Sequence, residues 1–297
     1  MAIQLPLPSP ESRCDTHVHV FEPALYPYAE DRAYTPGEAS CGDLEDLMSS
    51  LEVGRCVIVQ PSVYGSDNTC LLAALEYFGA ARARGVAVID HQGISTDELH
   101  GLREAGVRAL RVNFEAVKAS APVDRISVIR GTARRAAEAG LAVQLYVDTA
   151  TAVEAASDLA EEGVPLILDH FAGFRCGMDL KGETFSKLVE VLEAGNVWVK
   201  LSAPYRTGSK LPDYEDLRPA AQAMIAAAPD RMVWASDWPH TGGGQRDGKD
   251  PARVEPFRHI DDRSDLSRLR RWVDDDGLYQ EILADNAARV FDFQDAR

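Results

Sequence analysis

Apolar residues follow two alternating rhythms along the 297-residue chain. Short runs rich in Val, Ile and Leu, such as Cys-Val-Ile-Val-Gln at 56–60 and Pro-Leu-Ile-Leu-Asp at 165–169, are continuous enough to be covered on both faces. Longer stretches between them carry apolar positions three and four residues apart, the spacing that gives a helix one apolar side. The runs predict eight strands, at 13–20, 55–62, 85–90, 107–113, 142–147, 165–170, 197–202 and 232–237. The stretches between them predict helices at 68–84, 96–105, 123–139, 150–161, 183–193, 213–227 and 278–291. Gly106, Gly140, Gly163 and Gly195 fall just after four of these, where a chain leaving a helix turns left-handed.

Strand and helix in alternation is the rhythm of a parallel sheet. Eight such units on a chain of this length predict an α/β fold, a single (β/α)8 TIM-type barrel over residues 1–297. No composition shift, low-complexity linker or longer repeat divides the chain. A doubly wound open sheet is the alternative, but no glycine-rich phosphate fingerprint follows the first strand. In a barrel the chemistry belongs at the C-terminal ends of the strands.

Polar residues collect at those ends. Strand one carries His17 and His19, which alternation places on one face. Strand two ends in Gln60, Ser62 and Tyr64, strand four in Arg111 and Asn113, and strand five holds Gln144 and Tyr146. Strand six ends in Asp169-His170, strand seven runs through Ser202 into Tyr205-Arg206, and strand eight ends Ser236-Asp237-Trp238-Pro239-His240. Buried polar groups scattered by chance would not gather on one rim, so His17 and His19 are read as functional rather than as a chance pair.

Composition narrows the partners. A formal net charge of −16 repels nucleic-acid phosphates and anionic membranes, while a few arginines in a cleft still admit a small anion. The five cysteines, an odd number without Cys-x-x-Cys spacing, fit reduced packing thiols rather than a disulfide framework or zinc knuckle. No signal-like or membrane-spanning run is evident, so the expected location is cytoplasmic. The oligomeric state is left open.

The segments Asp15-Thr-His-Val-His-Val-Phe, Val59-Gln-Pro-Ser-Val-Tyr-Gly, Arg108-Ala-Leu-Arg-Val-Asn, Val143-Gln-Leu-Tyr, Leu168-Asp-His, Val199-Lys-Leu-Ser-Ala-Pro-Tyr-Arg, Trp234-Ala-Ser-Asp-Trp-Pro-His and Asp285-Asn-Ala-Ala-Arg resemble the amidohydrolase superfamily. Their order is similar to the branch of 2-pyrone-4,6-dicarboxylate lactonase and the sugar-acid lactone enzymes. The resemblance implies hydrolysis of a small anionic lactone, with Asp237 as general base and His17, His19 and His170 around the reacting carbonyl. It further implies that Ser62, Tyr64, Arg111, Tyr146 and Arg206 orient the substrate and bind its carboxylate. His240 either lines the same mouth or holds Trp238-Pro239 in place.

Three histidines and an aspartate also suit one Zn²⁺ with an open position for water. A two-metal site is disfavoured, because strand four has no bridging lysine and strand five offers Gln144 and Tyr146 where metal-binding relatives carry histidine. The expectation is no cofactor and no metal, with one divalent ion at His17, His19, His170 and Asp237 as the alternative. Only Arg111 is clearly placed near strand four, so the number of substrate carboxylates stays open. A lactone isomerase, a metal-dependent decarboxylase and a catalytically silent binding protein are the rival functions. The glycine run after Thr241 lacks a Gly-Lys-Ser/Thr ending and reads as a rim loop, with Arg246 as an extra clamp.

Overall fold

The computed structural model describes residues 11–115, 124–242 and 250–293. Eight parallel strands pair in chain order: β1 (Cys14–Val18), β2 (Arg55–Val59), β3 (Ala83–Ala87), β4 (Val107–Asn113), β5 (Ala142–Tyr146), β6 (Leu166–Leu168), β7 (Val197–Ser202) and β8 (Met232–Ala235). The ends of the sheet meet just beyond β8, where Val18 bridges Trp238 and the His19 amide donates to the Trp238 carbonyl at 2.9 Å. Thr16 Oγ1 donates to the Trp234 carbonyl at 2.8 Å on the same seam. The expected (β/α)8 barrel is therefore the fold.

The helices are α1 (Cys41–Leu51), α2 (Thr69–Phe78), α3 (Thr96–Glu104), α4 (Arg125–Ala139), α5 (Thr149–Asp158), α6 (Glu183–Glu193), α7 (Arg218–Ala227), α8 (Asp262–Val273), α9 (Asp276–Gln280) and α10 (Asn286–Phe291). Their starts follow from side-chain caps. Ser40 and Asp43 form a reciprocal capping box on α1, Ser95 and Glu98 another on α3, and Asp124, Asp148 and Asp261 cap α4, α5 and α8. Their inner faces carry the core: Leu44 and Met48 of α1 are fully buried, each contributing roughly 1.5–3 kcal/mol.

Several predicted boundaries move. The helix expected over 68–84 stops at Phe78, because Gly79 turns the chain at φ 75°, and β3 begins at Ala83 rather than at 85. Gly85 belongs inside that strand: a Cβ there would sit 2.8 Å from Leu75 Cδ1, so the bare backbone lets α2 pack closely. The helix expected over 278–291 is three pieces, α9, a π-helical turn (Glu281–Asp285) and α10. Helices α1 and α8 were not anticipated from the sequence.

Alternation then sorts the barrel interior by height. Val57, Ala109, Ala142, Ile167 and Val233 pack with Phe291 and Phe293 of the C-terminal segment, closing the lower end with apolar side chains. Two residues further along their strands stand Arg111, Gln144 and Asp169, joined by Lys200 from β7. The lower barrel is therefore a greasy plug, and the upper barrel a polar floor.

Candidate active site

Four side chains from three strand ends converge above that floor. His17 comes from β1, His19 from just past it, and His170 and Asp237 from just past β6 and β8. All four are buried. The three Nε2 atoms lie 3.6, 3.7 and 3.8 Å from Asp237 Oδ1, too far for hydrogen bonds and close enough to enclose it. The carboxylate's other oxygen is fully engaged: Arg206 Nε and the Tyr205 hydroxyl each donate to Oδ2 at 2.7 Å. Asp237 and His170 both hold left-handed backbone, at φ 66° and 49°, which carries a strain cost for residues with a Cβ.

The opposite ring edges fix the tautomers. Carboxylates and carbonyls only accept, so His17 Nδ1 donates to Asp169 Oδ1 at 3.2 Å and His19 Nδ1 to the Val59 carbonyl at 2.7 Å. Lys200 Nζ lies 3.3 Å from His17 Nδ1, but its protons have Gln144 Oε1 at 2.7 Å and Asp169 Oδ1 at 3.6 Å as acceptors. His170 Nδ1 meets Ser202 Oγ at 2.9 Å. Neutral His17 and His19 thus turn bare Nε2 lone pairs toward Asp237, and His17 Nε2 has no hydrogen-bond partner at all.

Burial and charge set the protonation states. Burial pushes His17, His19 and His170 down, His170 to about 4 against the pull of Asp237. Burial alone would raise Asp237, but the Arg206 guanidinium, and after it His170, hold it well below the usual carboxylate range. Asp169 is likewise held low by His17, Lys200 and Arg111 against its burial. Burial brings Lys200 down to about 8, with Asp169 opposing. The resting site at neutral pH is an ionised acid facing neutral imidazoles.

Residues 14–293 match the amidohydrolase family. The chain belongs to that family. It is 33% identical over 286 residues to 4-sulfomuconolactone hydrolase of Rhizobium radiobacter, covering 95% of this chain and 90% of the relative. It is 31% identical over 293 residues to 2-pyrone-4,6-dicarboxylate hydrolase of Comamonas testosteroni, with the same coverage of 95% and 90%. A crystal structure from Pseudomonas putida, provisionally described as a 2-pyrone-4,6-dicarboxylic acid hydrolase, superposes with a TM-score of 0.79 at 27% identity, covering 96% of this chain and 98% of that one.

In this amidohydrolase three of the four catalytic candidates line a cleft that opens to solvent at the barrel mouth, and His17 is not among the lining residues. His19, His170 and Asp237 line it, and so do Ser62, Arg111, Tyr146 and Arg206. Tyr146 stands edge-on to His170, ring centroids 4.7 Å apart. Arg111 NH1 donates to the Gln60 carbonyl at 3.0 Å, and its buried Nε has no partner. Two expected substrate contacts are not among the lining residues. The Tyr64 hydroxyl accepts from the Glu22 amide at 3.1 Å while its ring packs against Phe21 and Tyr28, a structural post beside the mouth. His240 is turned toward α8, with Nε2 on Asp262 Oδ2 at 3.0 Å. Arg246 lies outside the described residues.

Tyr205, Lys200, Asp169 and Gln144 were left out of the expected site although each sits within it or directly beneath it. Gln144 Nε2 donates to Asp169 Oδ2 at 3.1 Å, and Arg111 NH2 lies 3.5 Å from the same oxygen, so Asp169 is the hub of the floor. Lys200 had one signal in the sequence: a lysine between Val199 and Leu201 stands on the face opposite to theirs, and in a barrel strand one of those faces is interior.

The donor set also fits a metal. His17, His170 and Asp237 offer ligand atoms within 4.8 Å of one another; His19 Nε2 lies 3.7 Å from the same carboxylate oxygen but is not part of that three-residue cluster. Imidazole nitrogens and a carboxylate oxygen are donors that zinc takes, and each His17 and His19 outer nitrogen is already oriented as such ligands require. The unpartnered His17 Nε2 favours an occupant there. Among the described residues no helix is long and apolar enough to cross a membrane, and the cysteines are free thiols.

Proposed function

We propose that this amidohydrolase opens a small, carboxylate-bearing lactone with water activated by Asp237. The observation that carries this reading is Asp237 Oδ1, ringed by three imidazole Nε2 atoms at 3.6 to 3.8 Å beside the cavity. Water lodged there reaches Oδ1, which takes its proton as the water oxygen attacks the ester carbonyl carbon. The ring C–O bond then breaks, and the proton on Asp237 passes to the departing ring oxygen. The product is a hydroxy acid, whose ionisation releases the proton an assay reads.

The surrounding side chains divide the remaining work. Arg206 and Tyr205 keep Oδ2 occupied, so the proton arrives at Oδ1. Burial raises the Tyr146 phenol, which leaves it a donor for the carbonyl oxygen as negative charge grows there. Arg111 offers planar donors to a substrate carboxylate, with Ser62 on the same wall. The relatives at 33% and 31% identity are named 4-sulfomuconolactone hydrolase and 2-pyrone-4,6-dicarboxylate hydrolase, which supports this class of substrate.

His17, His19, His170 and Asp237 would hold a single divalent ion such as zinc. When bound, it would polarise the carbonyl and acidify a water. The donor chemistry favours that alternative over the metal-free expectation, and chelation separates the two.

The test is a proton-release assay across sulfomuconolactones, pyrone dicarboxylates and sugar-acid lactones, with Asp237→Asn as the control. Saturable acid release that Asp237→Asn abolishes is the expected result. No release from any of these rings would defeat the reading. A ring shifted without net acid, followed by NMR, would mark the isomerase instead.

A further inference from the structure

Asp237 is held by more than its own strand end. Tyr205, in the short helical turn after β7, gives its hydroxyl proton to Asp237 Oδ2 at 2.7 Å. It is not among the cavity-lining residues. Its ring is walled on several sides. The Arg206 and Arg258 guanidinium carbons lie 5.2 and 5.4 Å from its centroid, and the His240 ring stands across it at 83°, centroids 5.9 Å apart.

His240 is fixed in turn by α8. Its Nε2 donates to Asp262 Oδ2 at 3.0 Å, and its Nδ1 lies 3.4 Å from the Tyr205 hydroxyl. Asp262 is the first residue of α8 and is buried, although acidic residues at helix starts are ordinarily solvated. A line of buried and part-buried contacts therefore runs from α8 through His240 and Tyr205 to the carboxylate facing the cavity. Arg206 Nε alone leaves the carboxylate free to pivot about that one bond, whereas a second donor on the same oxygen fixes its plane.

Resting on the reading of Asp237 as the base, we propose that Tyr205 is a positioning residue that sets the plane in which the Asp237 carboxylate is presented to the substrate. His240 and Asp262 hold Tyr205 from α8. The placement of a base by such an outer contact governs the reaction step more than substrate binding.

The full-length protein carrying Tyr205→Phe tests this, because only the hydroxyl is lost. On a lactone the wild type hydrolyses, kcat should fall on the order of 10–100-fold with KM within about twofold. A crystal structure of the variant should show the Asp237 carboxylate rotated away from its present partition between Arg206 and the imidazoles. Asp262→Ala should give a smaller loss in kcat of the same kind, and Asp262→Asn, which keeps an acceptor for His240, should restore most of it. If Tyr205→Phe does not fold, the Asp262 pair is read in its place. An unmoved carboxylate, an unchanged kcat, or a loss confined to KM overturns the proposal. A wild type that opens no lactone defeats the hydrolase reading alone and leaves the carboxylate's orientation to judge this one.

Discussion

Arg206 Nε donates to Asp237 Oδ2 across 2.7 Å, from a side chain only 11% exposed to one only 1% exposed. The pair keeps a buried carboxylate ionised and turns its other oxygen toward the imidazoles. Asp237→Asn preserves the shape of this arrangement: the amide oxygen still accepts from Arg206, and the amide nitrogen can donate to a bare Nε2. The fold should therefore survive, with a thermal midpoint near that of the wild type. What disappears is the proton acceptor, so kcat should drop by roughly 10²–10⁴-fold. A variant retaining more than about a tenth of the wild-type kcat would remove Asp237 from its role as base.

Metal occupancy is decided by equilibrium binding as well as by rate. Asp169 orients His17 through Nδ1, and a partner of this kind typically governs ligand affinity by 10–100-fold. Zinc titrated against a competing chelator should bind the stripped protein as a single tight ion, and Asp169→Asn should weaken it on the order of 10–100-fold. Activity should vanish on stripping and return on reloading. Full activity in a stripped protein that elemental analysis finds empty would instead establish the metal-free route.

Much of this was legible in the chain because barrel strands leave an unusually plain trace. Runs such as 56–60 are covered on both sides, and continuous Val and Ile give them away. His17, His19, His170 and Asp237 were legible because polar residues at the ends of such runs have few structural excuses. Helix α8 was not, because Asp262, Arg263, Asp265, Arg268, Arg270 and Arg271 make it read as a solvated segment. Its Arg268, Leu269 and Trp272 are nonetheless buried, a stripe that charge conceals. Tyr64 shows how position alone leaves a role open: its place after β2 suits the rim, while the φ of 56° at Gly65 and the Glu22 contact belong to a turn packed on Phe21. Lys200 was missed because lysine is almost never fully buried without partners, and its partners came from three other strands.

The pH dependence of stability should show opposing signs at two sites. His170 has its folded value lowered by burial from 6.5 to about 4, so between those values the unfolded chain binds more protons and stability rises with pH. Relative to His170→Asn, the wild type should lose about 3 kcal/mol of stability as pH falls from 7 to 4. Asp15 has its folded value raised by burial from 3.8 to about 7, against hydrogen bonds from Ser236 and His17. Its sign is reversed, so relative to Asp15→Asn the wild type should gain stability over the same descent. Urea midpoints of the three proteins in chelator at several pH values check both. Parallel curves for wild type and His170→Asn would show that the imidazole is not the buried neutral group described.

Lys200 and Asp169 make a last, sharper case, since both are fully buried and lie 3.6 Å apart, with Arg111 NH2 3.5 Å from the same carboxylate. Taking away one member of a buried pair strands the other, at a cost of about 3–5 kcal/mol, whereas removing both is often close to neutral. Lys200→Met alone leaves the Asp169 carboxylate with Arg111, Gln144 and His17, so the loss in unfolding free energy, read from the urea midpoint and slope, should fall below that range. Adding Asp169→Asn should recover much of the loss, a coupling that a double-mutant cycle measures directly. The folded lysine value near 8 lies below its unfolded value of 10.5, so the unfolded chain binds more protons between them. Wild type should therefore gain on Lys200→Met as pH rises from 8 to 10.5. Additive single-mutant costs and a flat difference across that window would mean that Lys200 merely fills space above Phe291 and does not hold the polar floor together.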